Sequence, residues 1–303
     1  MNTSKVFFRC VAVAAVVVMS LISGCGKKPK AEGPLAVAAG LPPVAFLASR
    51  IGGEAVVVST MLPDGRSPHD YSPAPGDVLN ASRSRLFLTT DMNFERTLCR
   101  PLDSTKTTVC DVTQGVKRIP MAPGPDHHDH GHDHAHDALD PHVWLDLDNL
   151  GIMANNICKA FCAADPDNES LYRANCLKLV GECRLQRQLL AAQLAPFRGR
   201  CFYVYHPAFG YFADMFGLRQ EAVELDGREV TPAHLAELTR RAKSDRVGVI
   251  FVQPQFNPSA MRALQRQLRV EVKTADPLRR DVLKNIQNLV SELRMAFAEY
   301  DSK

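Results

Sequence analysis

Four short stretches of the sequence each place a metal-ligating side chain next to a proline. The four side chains are His69, His142, His206 and Asp276. An adjacent proline restricts the backbone, which suits a side chain that must be held in one position. Three imidazoles and one carboxylate match the donors and the coordination number of a tetrahedral Zn²⁺ site, whereas Ca²⁺, Mg²⁺ and Mn²⁺ prefer more oxygen. Taken singly, a histidine is more often a surface or hydrogen-bonded core residue than a ligand, and Asp276 is more often a helix cap.

A run of histidine and aspartate precedes His142, within residues 126–137. Its six histidines are His127, His128, His130, His132, His134 and His136. Residues 120–139 are too polar and too rich in proline to bury a core, so we expect a disordered loop. The aspartates would raise the local concentration of cations. We interpret the run as an auxiliary metal site, and the alternative is a solvated tract with incidental affinity.

The first 24 residues have the pattern of an export signal. Lys5 and Arg9 precede an apolar segment that is too short for a comfortable membrane span, and small residues then lead to Cys25. This pattern predicts a lipoprotein leader over 1–24, acylation of Cys25 and a tether over 25–34, although Ile22 stands where leucine is commoner. The alternative is an ordinary signal peptide with an incidental cysteine.

Charge and cysteine content exclude some classes of protein. The formal charge of +3 falls to +1 once the two leader cations are removed, and this argues against a nucleic-acid binder. Seven cysteines remain outside the leader and the acylation site, in positions that allow disulfides in an exported protein but do not reveal their pairing. They are Cys99, Cys110, Cys158, Cys162, Cys176, Cys183 and Cys201. No CxxC spacing occurs, so a structural zinc–thiolate site is not expected.

The elements that must position the four ligands fall into two sets of alternating strands and helices. This alternation predicts an α/β fold with parallel sheets, in which ligands lie beyond the carboxyl ends of the strands. We expect an N-terminal lobe over 35–164, a linking helix over 165–196 and a C-terminal lobe over 197–303. Within the linking helix, apolar or small residues recur at three- and four-residue intervals. These are Leu171, Ala174, Leu177, Gly181, Leu185, Leu189 and Ala192.

The motifs around the four ligands resemble those of the zinc/manganese solute-binding lipoproteins of bacterial ABC transporters. The similarity rests on residues 62–77 (LPDGRSPHDYSPAPGD), 140–146 (DPHVWLD), 206–212 (HPAFGYF) and 276–278 (DPL). The histidine-rich insertion and the histidine at position 206 resemble the zinc branch, because the manganese branch typically has glutamate there. Two departures are Gln253, where glutamate is common, and residues 91–95, which replace a glycine-containing turn. We expect neither to touch the four ligands.

The resemblance implies two (β/α)₄-like lobes joined by one long rigid helix, with the metal site in the cleft. His69 and His142 would come from the first lobe, and His206 and Asp276 from the second. It also implies a monomer that binds Zn²⁺, with Mn²⁺ as the alternative, as cargo at the extracytoplasmic face and delivers it to a membrane permease.

The competing classes are an adhesin, a periplasmic metal buffer and a zinc hydrolase. The sequence lacks HExxH, and four protein ligands would leave no open position for catalytic water. We therefore expect no enzyme activity.

Overall fold

The computed structural model describes residues 33–121, 139–224, 232–256 and 271–302. The predicted leader, Cys25, the histidine-rich run and a helix predicted over 258–268 lie outside these residues. Residues Leu35–Lys303 form one compact unit, which contains two four-stranded sheets.

The N-terminal sheet is built from short apolar strands, each followed by a helix or a long loop. Its strands lie in the order β2-β1-β3-β4, and all neighbours are parallel. The elements are β1 (Leu35–Ala39), α1 (Pro42–Gly52), β2 (Val56–Thr60), α2 (Pro75–Ser82), β3 (Leu86–Thr89), α3 (Asn93–Cys99), β4 (Thr108–Asp111) and α4 (Leu147–Ala164). Every residue of β3 is buried, whereas edge strand β2 alternates, as expected for a parallel sheet covered by helices.

The C-terminal sheet repeats this arrangement, with the order β6-β5-β7-β8 and all neighbours parallel. Its elements are β5 (Cys201–Val204), α6 (Gly210–Phe216), β6 (Arg219–Ala222), α7 (Pro232–Ser244), β7 (Val249–Val252), β8 (Glu271–Thr274) and α8 (Val282–Asp301). The predicted fold class, two lobes with parallel sheets, is therefore confirmed.

The linking helix is α5 (Glu169–Leu194), which packs against α1, α4 and α8 and so contacts helices of both lobes. It has 26 residues, or about 39 Å at 1.5 Å per residue, and short 3₁₀ turns flank it at Pro166–Asn168 and Ala195–Phe197. Its buried residues are Tyr172, Cys176, Leu179, Cys183, Leu190 and Leu194. The seven apolar or small positions that revealed the helix are all on its exposed side.

Residues 91–95, which depart from the motif of the similar family, form a turn that local contacts explain. Asp91 adopts a φ of 69°, a conformation that favours glycine, and a glycine-containing turn is what this segment replaces. The buried Glu95 then stabilises the turn, because its Oε2 accepts hydrogen bonds from the backbone N–H groups of Thr90 and Met92, each at 2.9 Å. Burial raises the pKa of Glu95 to about 7.

The cysteines of the described residues are free thiols, all seven of them. Cys158 and Cys162 lie one turn apart on α4 with their Sγ atoms 4.0 Å from each other. Burial raises the pKa of both thiols, which keeps them protonated. As for membrane insertion, none of the described helices combines the length and the apolar character that crossing a bilayer requires.

Candidate metal site

The three predicted histidine ligands lie in loops, and the loops of His69 and His206 follow the carboxyl ends of strands, where a parallel α/β sheet presents its ligand-binding groups. His69 belongs to the loop that follows β2. His142 begins the 3₁₀ turn Val143–Leu145, and His206 follows β5 after a single intervening residue. The loops thus bring one histidine from the second sheet to two from the first half of the chain.

The three imidazoles converge on one point. Nε2 of His69 lies 3.2 Å from Nε2 of His142 and 3.2 Å from Nε2 of His206, and the candidate donor atoms all lie within 4.8 Å of one another. Zn–N bonds of about 2.0–2.1 Å at tetrahedral angles would separate two ligand nitrogens by about 3.3 Å. The spacing of the rings therefore fits a single small ion bound between them.

Two buried carboxylates orient the rings from behind. Oδ1 of Asp140 lies 2.7 Å from Nδ1 of His142, and Oε1 of Glu224 contacts Nδ1 of His206. Since each Nδ1 then carries the proton, each Nε2 presents its lone pair to the common point. Such carboxylate–histidine pairs are typical of metal sites, where they fix the tautomer and raise the basicity of the ligand.

Gln253 holds the backbone of His206 in place. Its Oε1 accepts a hydrogen bond from the His206 N–H at 3.1 Å, and its Nε2 donates to the His206 carbonyl at 2.7 Å. The expectation that Gln253 touches no ligand residue was wrong. The amide matches both backbone groups, whereas an ionised glutamate would accept the first bond and could not donate the second.

The structure does not bring Asp276 into the group of three. Its Oδ1 accepts hydrogen bonds from Nε2 of Gln255 at 2.8 Å and from the N–H of Leu278 at 3.0 Å. The residue follows β8 after the single intervening Ala275, and its neighbours Pro277 and Leu278 line the same pocket as the histidines. Its role as a fourth ligand stays a prediction.

Three aromatic residues lie near the ligands in the sequence, where this residue type suits either the lining of a site or the core, and their contacts favour the core. Trp144 is fully buried, packs edge-on against His142 at 5.5 Å and donates from Nε1 to the carbonyl of Pro277. The hydroxyl of Tyr71 donates to Asp77, and that of Tyr211 accepts from the N–H of Ile119.

The pocket around the imidazoles lies between the two halves of the chain and opens to solvent on one side. His142 is buried and His206 half-buried, whereas His69 is exposed on its outer side. The remaining walls are mostly apolar or amide side chains: Pro68, Gln253, Gln255, Phe256, Pro277 and Leu278. An ion bound there would be shielded by the inner histidines and reachable past His69.

The surroundings keep two of the imidazoles neutral. Desolvation, followed by repulsion from His142 and His206, lowers the pKa of His69 to about 3. Desolvation also lowers the pKa of His142, and the hydrogen bond to Asp140 opposes this only in part. Neutral imidazoles are the form that binds a metal, so these two are ready for an ion at neutral pH.

The sequence prediction did not identify Asp140, Glu224 and Gln253 as parts of the site. The spacing of Asp140 and His142, two residues apart around a proline, was a usable signal for the first carboxylate. Glu224 and Gln253 follow strands in different parts of the second sheet, and only the fold reveals that both face His206.

Comparisons with known proteins agree with this geometry. The family described as zinc-uptake complex component A, periplasmic (ZnuA), matches residues 37–296. The zinc-binding lipoprotein AdcA of Streptococcus pneumoniae is 26% identical over 286 residues, which are 92% of this chain but 55% of AdcA. The chain thus spans about half the length of that relative.

Two further proteins match over nearly their whole length. The high-affinity zinc uptake system protein ZnuA of Yersinia pestis is 25% identical over 287 residues, covering 88% of this chain and 90% of that protein. A crystal structure of ZnuA superimposes with a TM-score of 0.77 at 26% identity, covering 86% and 98% of the two chains. Because the family match covers far more than half of its residues, this chain belongs to the family of periplasmic zinc-uptake component A, ZnuA.

Proposed function

We propose that this protein binds one Zn²⁺ tightly outside the cytoplasm and delivers it to an ABC-type membrane permease. The observation that carries the proposal is the convergence of three Nε2 atoms, two of them oriented by buried carboxylates. The names of the relatives, a zinc-binding lipoprotein and a zinc uptake protein, support the same cargo.

The donor set favours Zn²⁺ over Mn²⁺ as the cargo. Three imidazoles and no more than one carboxylate form a nitrogen-rich site, whereas Mn²⁺ is better served by oxygen donors. Asp276 is the proposed fourth ligand, and it would add the only negative charge that touches the ion.

A hydrolytic role is the second candidate, because three histidines with an open position resemble a catalytic zinc site. Catalysis would also need a general base beside the bound water. Among the described residues that surround the imidazoles, the carboxylates of Asp140 and Glu224 are engaged behind the rings, and the pocket walls offer amides and apolar groups. We therefore favour binding and release over turnover. Assays with esters and peptides would detect a hydrolase.

Release of the ion would use the parts of the site that can move. The lobes, proposed over 35–164 and 197–303, are joined by α5 and by the hydrogen bond from Trp144 to Pro277, which restrict opening. His69 lies in a loop broken by two prolines and exposed to solvent, so a shift of this loop would remove one ligand without separating the lobes. Docking of the monomer on the permease is the proposed trigger.

Attachment to the membrane is proposed through acylation of Cys25. The related AdcA is named a lipoprotein, which supports this reading of the leader. Cys25→Ser should leave zinc binding intact and release the protein from the membrane fraction, because the acyl chains that bury their CH₂ groups would be missing. Equal membrane retention of the variant would show that the leader was misinterpreted.

Calorimetry on metal-free protein tests the proposed site. We expect one tight Zn²⁺ per chain, weaker sites from the histidine-rich run, and a severe weakening of the tight site in His142→Ala. Binding should weaken in acid, because each imidazole must be deprotonated to bind. Several equal weak sites in the parent protein would reject the proposal. Metal analysis of protein purified without chelator would identify the native ion.

A further inference from the structure

The exposed face of α5 carries large apolar side chains that no other element among the described residues covers. Leu171, Leu177, Leu185 and Leu189 are 41%, 77%, 57% and 56% exposed, although leucine usually lies in the core. At 100° per residue these four positions fall within a stripe about 120° wide and five turns long. The opposite face of the helix is already buried against its neighbours, so the leucine stripe is a second apolar face.

The polar residues beside the leucine stripe are unusually uniform in charge. Twelve residues of α5 are classed as exposed, and none is acidic, whereas Arg173, Lys178 and Arg184 are cationic. Arg173 pairs with Glu169, which is one of the two acids of the helix; the other, Glu182, pairs with Arg50 of α1. Within the described residues, Lys178 and Arg184 form no ion pair, so both are available to an anionic partner.

This combination fits the surface of an anionic bilayer. Helices that lie in a membrane interface bury leucines among the acyl chains while flanking Lys and Arg contact phosphate groups. The long stems of lysine and arginine allow their charged ends to reach the headgroups from the edge of the stripe.

The proposed anchor keeps a bilayer within reach of the stripe. Nine residues lie between Cys25 and Leu35, so the tether spans about 35 Å at most. Leu35 pairs with Val56 at the start of the sheet, close to the turn at Gly53, and Asn175 of α5 donates a hydrogen bond to the carbonyl of Ile51 at this same corner. The folded chain therefore begins beside the first half of the stripe.

A second copy of the chain is a poorer occupant on grounds of charge. The stripe is nearly symmetric about Gly181, so two copies would pair antiparallel with these glycines at the crossing. Lys178 lies three residues before that point and Arg184 three after it, so each lysine would face the arginine of the other copy. Like charges facing each other oppose such a pair.

We propose that the exposed leucine and cationic face of α5 is a docking surface for anionic phospholipid headgroups, which lays the anchored protein along the membrane. This inference deepens the proposed function, because it rests on attachment at Cys25. Docking along α5 would hold the protein near the bilayer between encounters with the permease.

Vesicle sedimentation tests the docking surface without the anchor. The protein would begin at Gly26, since Leu35–Lys303 forms a compact unit of its own. We expect it to sediment with vesicles containing equal parts phosphatidylglycerol and phosphatidylcholine, less with phosphatidylcholine alone, and less as salt rises. Leu177→Gln/Leu185→Gln should lower the partition coefficient about tenfold or more, because two buried leucine side chains are lost.

Matched variants separate the docking surface from other effects. Leu79→Gln removes a leucine of similar exposure from α2 and should bind vesicles like the parent. Lys178→Glu/Arg184→Glu should weaken binding to anionic vesicles only. Absence of parent binding, or equal loss in the Leu79 variant, would overturn the proposal. If light scattering shows a dimer of the parent that the double leucine variant does not form, the proposal is overturned and the face is assigned to a second copy.

Zinc titration of the same variants keeps the two hypotheses apart. All of them should bind zinc like the parent, because none of the substituted side chains lines the pocket around the histidines. A parent that binds vesicles but no zinc would reject the proposed function while leaving the docking surface standing.

Discussion

Oδ1 of Asp140 accepts two hydrogen bonds from His142, one from its backbone N–H at 2.9 Å and one from its Nδ1 at 2.7 Å. One carboxylate oxygen therefore sets both the position of the residue and the orientation of its ring. The carboxylate is completely buried, and Gly210 makes room for it, since a Cβ there would lie 2.4 Å from Oδ2. Asp140 is thus a positioning residue whose effect reaches the ion through His142.

Replacing Asp140 should weaken the binding of zinc without removing a ligand. Asp140→Asn removes the negative charge that raises the basicity of His142, and loss of such a partner typically costs about 10–100-fold in metal affinity. Glu224→Gln should act in the same way through His206. Competition titration with a chromophoric chelator would measure both changes.

The control for this prediction is Asp167→Asn, at an exposed aspartate in the turn before α5. It should bind zinc like the parent. Parent-like affinity in Asp140→Asn, with an unchanged melting temperature, would mean that the pair is structural only.

Much of the fold was predictable because strands and ligand loops carry local signals. Apolar runs between glycine or proline residues predict a strand over Leu35–Ala39 and a helix over Leu147–Ala164, and both elements have these bounds in the structure. The helix Asn93–Cys99 was missed, because its start depends on the buried Glu95, a contact that no local pattern reveals.

The metal site was also predictable in part. Adjacent prolines marked the three histidines that converge, but the same signal also marked Asp276, which lies outside the group in this structure. Periodicity revealed α5 but could not tell which of its faces is covered, because burial depends on where α1, α4 and α8 pack. The supporting residues Glu224 and Gln253 are distant in sequence from each other, and only the strand order β6-β5-β7 brings them to His206.

The zinc-free protein should lose stability as the pH falls below about 6.5. The pKa of His69 is lowered from 6.5 to about 3 and that of His142 is also lowered, whereas both would return to ordinary values in the unfolded chain. At pH values between the folded and the unfolded pKa of these histidines, the unfolded state binds more protons than the folded state. The free energy of unfolding therefore decreases with decreasing pH. Thermal melts between pH 7.5 and 5 would record this slope.

The variant His142→Ala supplies the comparison for the pH experiment. It removes one buried imidazole with a lowered pKa and should show a shallower loss of melting temperature over the same range. Identical slopes in parent and variant would mean that other groups determine the acid sensitivity.

Deleting residues 126–137 should spare the tight site. His142 is held by Asp140 and by the edge of Trp144, and these contacts do not involve the histidine-rich run. We expect the deletion variant to keep one tight Zn²⁺ and to lose the weaker sites, as measured by calorimetry. A variant that keeps its circular dichroism spectrum but loses the tight site would reverse this ranking of the two metal-binding regions.

The four proposed ligands should contribute unequally. His142→Ala and His206→Ala should lower the affinity for zinc most severely, because each removes an imidazole that a carboxylate orients. Asp276→Ala should cost about tenfold or more, at least as much as His69→Ala, because an uncompensated +2 charge in a shielded cleft is costly. The exposed His69 is easier to replace, since water or an imidazole of the histidine-rich run can take its place.

Gln255 makes the prediction for Asp276 sharper. Oδ1 of Asp276 already accepts two hydrogen bonds, so binding the ion through this oxygen requires the loss of one of them, and the side-chain amide of Gln255 is the donor that competes with zinc. Gln255→Ala should therefore leave zinc affinity unchanged or raise it, whereas Gln255→Ala in an Asp276→Ala background should add nothing. Chelator competition on the two single variants and the double variant would measure the coupling. If Asp276→Ala binds zinc like the parent, the aspartate belongs to the turn at Leu278, and the tight site consists of the three histidines.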